Sequence, residues 1–141
     1  MLIIRRLPLP IQILTMSLSV DMPWRPVCIA TGLFYSLGVL GIMDPLRATH
    51  LFGDTRATEK EATFYPVVAS RNLTLAATIL SFVYTGQQRA LGTMMMCCSI
   101  MGVADIAFLL SRPGYSGLHM AVHLVKGVLF PTLGAKLLGW F

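Results

Sequence analysis

Four stretches of about 20 mostly apolar residues occupy most of this chain, at about 24–43, 64–84, 91–111 and 118–139. At about 1.5 Å of rise per residue, a helix of that length crosses the roughly 30 Å hydrocarbon core of a bilayer. Backbone polar groups find no water there, so a single segment satisfies them only by coiling into a helix. Asp44-Pro45, Gly86-Gln87-Gln88-Arg89 and Arg112-Pro113-Gly114 interrupt the runs and read as polar turns. The second and third turns are short, so successive helices must double back on one another. An all-α, antiparallel four-helix transmembrane bundle over residues 21–141 is the expected fold. Composition excludes the alternatives. The chain is 55% hydrophobic and only 12% charged, with a mean hydropathy of +0.72. So few charges cannot clothe a water-soluble domain, and a disordered chain would be far more polar.

Residues 1–20 imitate a signal peptide, with Arg5-Arg6 before an apolar stretch. Pro8 and Pro10 would break a helix there, and no small-x-small cleavage site follows. A flexible or interfacial extension is expected. The connection 44–63 is the long one. Asp44 and Pro45 suit the N-cap and first turn of a short helix that Gly53 would end. That helix is expected at the interface, as a plain amphipathic connector or a lid, with Leu46, Leu51 and Phe52 towards lipid. Thr58-x-x-Glu61 reads as a capping box that launches the next long helix. Basic residues divide five to four between the two sides, a slight bias that places both termini in the cytosol.

Ionisable groups inside a span are costly and point to function. The candidates are Arg71, Asp105, His119, His123 and Lys126. Antiparallel packing puts the start of the second span, the end of the third and the start of the fourth on one side, so all five share a leaflet. His119, His123 and Lys126 follow i, i+4, i+7 spacing and share a helical face. Asp105 lies at the level of His123, Arg71 is within reach, and Asn72 and Tyr65 could add hydrogen bonds. Two readings stay open: ionic glue between helices, or a polar pocket roofed by the 44–63 connection. In the pocket reading Asp105, His123 and Arg71 carry acid–base chemistry, while His119, Lys126, Asn72 and Tyr65 bind substrate.

Other chemistries find little support. His119-x-x-x-His123 is a metal-ligand spacing, but Lys126 beside it adds positive charge, so no metal is expected. Nucleophile, phosphate-loop and dinucleotide motifs are absent, and no cofactor is expected. Cys28, Cys97 and Cys98 lie in apolar segments and read as inert thiols. The basic residues form no stripe, which argues against nucleic acid. Small residues at helix-contact spacing, Gly32/Ser36, Ala77/Ser81 and Gly127/Gly134, suit close packing within the bundle or in a homo-oligomer.

Leu51-Phe52-Gly53, Ser70-Arg71-Asn72-Leu73-Thr74-Leu75-Ala76, Asp105 and His123 together resemble a small four-helix integral-membrane family of unknown function. The family is found in fungi and bacteria, with fungal members in specialised-metabolite gene clusters, and the resemblance covers about 24–140. Family members often carry an acid after the arginine and a glycine four residues later; Asn72 and Ala76 stand there in this chain. Losing that acid makes Asp105 the expected partner of Arg71. The resemblance implies a role in a polyketide or terpenoid pathway, in the endoplasmic reticulum or another internal membrane. Three functions follow as expectations. One is a tailoring or cyclisation factor that takes a hydrophobic substrate from the bilayer. Another is a non-catalytic scaffold for pathway enzymes. The third, a small oligomeric carrier, lacks the internal repeat usual in transporters. Membrane lipids are expected partners in each.

Overall fold

The computed structural model describes residues 23–111 and 117–141. The expected N-terminal extension over 1–20 and the turn after 112 lie outside the described residues. Five helices build the chain, with no strand among the described residues. They are α1 (Trp24–Met43), α2 (Pro45–Phe52), α3 (Glu59–Tyr84), α4 (Gln88–Leu110) and α5 (Gly117–Leu138), and all but α2 are long and apolar enough to cross a membrane. This is the all-α antiparallel four-helix architecture expected from the sequence. A 3-10 turn at Leu37–Val39 interrupts α1, and α3 has a break at Thr63–Phe64 just before Pro66. No backbone N–H is available at Pro66, so the first turn of the helix must be re-formed there.

Local chemistry sets the ends of these elements. The Asp44 carboxylate accepts the Arg47 N–H at 3.0 Å, and Pro45 opens α2. Gly53, at φ 125°, ends it, and few residues other than glycine accept that conformation. The Thr58 N–H donates to the Glu61 carboxylate at 2.9 Å, which anchors the start of α3. At the opposite end of the bundle Trp24, Tyr84 and Trp140 gather at the helix termini, where amphipathic rings mark a membrane–water boundary.

Packing is tightest within two hairpins, α1 on α3 and α4 on α5. Small residues allow this approach. Gly134 faces Gly92, and a Cβ on either would sit 3.0 Å from the other's carbonyl oxygen. Gly102 faces Gly127, and Gly41 meets Ala69 and Tyr65. Between the hairpins, larger side chains fill the core: Tyr35 from α1, Leu75 and Ile79 from α3, Leu91 and Met95 from α4, and Phe130 and Leu133 from α5. Most other apolar residues, such as Leu33, Val67, Ile100 and Val125, face outward, as helices surrounded by lipid require.

The contact stripes differ in part from expectation. Gly32, Gly127 and Gly134 do lie at helix contacts, but Ala77 and Ser81 are exposed, and Ala69 and Ala76 take the inner face of α3. Phe52 is also corrected: it packs inward against Tyr65, Phe108 and His123 rather than towards lipid, whereas Leu51 is exposed. The turn of α2 explains this, because Ala48 and Thr49 are its buried residues and Phe52 falls on the same face one turn later. Gly134→Ala should cost about 1–3 kcal/mol by overpacking, whereas Gly117→Ala, with nothing within 4 Å, should be near neutral. Thermal unfolding in detergent will measure both.

Candidate functional site

Asp105 is the one acid inside the apolar stretches of the chain, since the other acids are Asp21, Asp44, Asp54, Glu59 and Glu61. It is buried on the inner face of α4, about one and a half turns from the helix end. Three basic side chains converge on it. Arg71 Nη2 of α3 donates to Oδ1 at 3.2 Å, Lys126 Nζ of α5 approaches Oδ2 at 3.5 Å, and His123 Nδ1 lies 3.8 Å from Oδ2. The backbone makes this meeting possible. Gly102 and Gly127 bring α4 against α5 within a turn of Asp105 and beside Lys126. His123 and Lys126, three residues apart, then present adjacent side chains to the carboxylate.

The short helix α2 completes the cluster. Its last carbonyls have no helical partners, and the Gly53 turn leaves the Phe52 oxygen to His123 Nε2 at 3.0 Å. A carbonyl only accepts, so Nε2 must carry the ring proton. Nδ1 is then either a free lone pair or a second N–H. It is buried and has no hydrogen-bond partner among the described residues. The Phe52 ring stands edge-on to the imidazole with centroids 4.5 Å apart, fixing the histidine's orientation. Lys126 lies between two aromatic rings, 5.9 Å from the Tyr35 centroid and 5.8 Å from that of Phe52.

Two cavities reach this cluster. One, of about 280 Å³, lies beneath α2 and is lined by Phe52, Tyr65, Asn72, His123 and Lys126, among others. The other, of about 670 Å³, is an apolar groove along the seam between α1 and α5, open at the lipid-facing surface. Phe34, Tyr35, Val122 and Lys126 line both, so the groove and the chamber adjoin on either side of Lys126. The seam exists because α1 packs chiefly on α3 and α5 chiefly on α4. Arg71 and Asp105 lie around a further space of about 10 Å³ that Asn72 and Tyr35 also touch.

The residues singled out from sequence thus divide. Arg71, Asp105, His123 and Lys126 form the cluster, and Tyr65 and Asn72 line the adjoining chamber. His119 lies instead beside Gly53, whose added Cβ would sit 2.9 Å from that of His119, and it lines neither cavity. Among the described residues no three His, Cys, Asp or Glu side chains are placed to hold a metal ion. Two contributors were missed from sequence. Tyr35 lines all three spaces, and Phe52 supplies both its carbonyl and its ring. Tyr35 had a readable signal, because Cys28, Thr31, Gly32 and Tyr35 recur at i, i+3, i+4, i+7 as the buried stripe of α1.

These features define a small helical membrane protein whose long helices enclose an ionic cluster at the inner end of a lipid-facing groove. The chain belongs to the family of the domain of unknown function DUF4267, which matches residues 31–137 and so includes α2 and the whole cluster. No curated protein and no solved structure matches it.

The cluster also holds the bundle together. Asp105→Ala should destabilise the protein by about 3–5 kcal/mol where the site is dry, because two cations lose their shared partner. Adding Lys126→Met should recover part of that loss, which a double-mutant cycle on thermal unfolding will read.

Proposed function

We propose that this protein is a membrane-embedded acid–base factor that isomerises or cyclises a hydrophobic substrate drawn laterally from one leaflet. The supporting observation is the state of His123: its Nε2–H is committed to Phe52, while its buried Nδ1 is unpartnered beside the Asp105 carboxylate. Such a pair can accept one proton from a substrate, hold it as imidazolium against carboxylate, and return it at another atom. The net change is an isomerisation or ring closure, with no oxidant, reductant or second substrate consumed. Lys126 would stabilise the oxyanion that forms when the proton leaves a carbon or hydroxyl next to a carbonyl. Arg71 would keep the Asp105 carboxylate oriented from the other side. Tyr65 and Asn72 offer hydrogen bonds in the chamber, and His119 would act from the roof, beside Gly53.

A place in a polyketide or terpenoid pathway of an internal membrane, alongside other pathway enzymes, rests on the motif resemblance of 51–53, 70–76, Asp105 and His123. The groove favours such a substrate by its chemistry, since its walls are almost wholly apolar. The competing reading is a scaffold that needs only the fold. Co-expression with candidate polyketide or terpenoid pathway enzymes separates the two. Asp105→Asn keeps the shape of the side chain and removes its proton-accepting charge. It should leave a folded, membrane-inserted protein and lower product formation by about two orders of magnitude or more. His123→Gln, which can still bond Phe52, should do the same. Full product yield from either folded variant would overturn the catalytic reading in favour of the scaffold.

A further inference from the structure

The groove and the cluster together specify a ligand class, an inference that rests on the same site as the catalytic reading. Arg71, whose side chain is about a third exposed, and the more buried Lys126 bring two positive charges to the cluster and Asp105 one negative, so with His123 neutral the cluster carries one net positive charge. Desolvated charge without a partner is strongly unfavourable, and elsewhere in this bundle no acid lies within the apolar stretches to supply one. Lys126 is the member of the cluster that reaches the groove. Its ammonium has three donors, and its contact with Asp105 is a long 3.5 Å. His123, on a side chain only 4% exposed, lines the chamber from the same helix face, and its unpartnered Nδ1 lies 3.8 Å from the Asp105 carboxylate.

We infer that the α1–α5 seam binds an amphiphile with one extended apolar chain and a monoanionic oxygen head, such as a carboxylate. The chain lies in the groove against Val27, Phe34 and Val125 and the head pairs with Lys126. The tail is matched by volume and by apolar walls that open to lipid, so the ligand arrives from the membrane plane. Its head is matched by charge: one anion brings the cluster to neutrality. A neutral ester of the same chain would fill the groove but leave the cluster's charge as it was, and a cationic amphiphile would add to it.

The test uses the full chain in a nonionic detergent and cis-parinaric acid, a fluorescent polyene fatty acid, with its methyl ester as the neutral control. The acid should bind saturably and at least about tenfold more tightly than the ester, the difference that one charged hydrogen bond supplies. Lys126→Met should bring the acid down to the ester's affinity and leave the ester unchanged. Ala30→Trp, which fills the groove from its exposed side, should weaken both. Asp105→Asn should bind the acid at least as tightly as the parent, because it removes the competing anion. That arm separates this inference from the catalytic reading, which predicts lost turnover for the same variant. Palmitic acid and an alkylated aromatic acid of equal chain length, used as competitors, distinguish a bilayer fatty acid from a metabolite; displacement by either supports the inference. Equal affinity for acid and ester, indifference to Lys126→Met or Ala30→Trp in folded protein, weakened acid binding by Asp105→Asn, or displacement by neither competitor would overturn it.

Discussion

One carboxylate in an apolar bundle constrains everything around it. A lipid-facing carboxyl at this depth would cost about 2.5–3.5 kcal/mol on insertion scales, so α4 must turn Asp105 inward. Once inward, the carboxylate needs donors, and they come from both neighbours, Arg71 on α3 and Lys126 on α5, with the His123 imidazole alongside. Each contact fixes the rotation of a helix about its axis. Apolar side chains cannot do this in lipid, where an outward leucine is solvated as well as an inward one. The cluster therefore sets which faces of α3, α4 and α5 meet.

Small residues set how closely they meet. Gly92 against Gly134 and Gly102 against Gly127 draw α4 and α5 together until backbone touches side chain and backbone. Tight pairing inside each hairpin leaves the seam between α1 and α5 open, and the groove follows from that asymmetry. The Phe52-Gly53 corner closes the other end. Gly53 takes a backbone conformation that frees the Phe52 carbonyl, and its missing side chain admits His119. The connection between α1 and α3 is thus part of the site, because its last carbonyl decides which nitrogen of His123 carries the proton.

Along α1 the buried face is marked by small and polar residues rather than by its most hydrophobic ones. Cys28, Thr31, Gly32 and Tyr35 form the buried stripe of α1, while leucines, isoleucines and Phe34 of the same helix face outward. This inversion is expected when the solvent is a lipid tail, and it concentrates chemistry inside. The acid–base pair, the cation and the groove consequently lie side by side, with Lys126 lining both the lipid-facing groove and the chamber beneath α2.

Much was legible before any coordinates. The four apolar runs coincide with four helices long and apolar enough to cross a membrane, because crossing demands that length and composition. Asp44-Pro45, Gly53 and Thr58-x-x-Glu61 marked their elements because caps act over three or four residues. The expected pairing of Asp105 with Arg71 is met in the structure, since a lone acid at that depth has few partners within reach. Tertiary structure alone decided the rest. A helical wheel shows that His119 shares a face with His123, but not that the Phe52-Gly53 corner of α2 lies against that face, with His119 beside Gly53 and His123 bonded to Phe52. Phe52 could be drawn towards lipid or core with equal ease until the packing of α2 was known. Ala77 and Ser81 had the spacing of a contact stripe, yet the tilt and neighbours of α3 selected Ala69 and Ala76 instead. Sequence specifies what is near along one helix, and in lipid only the packed bundle determines which face of that helix meets another.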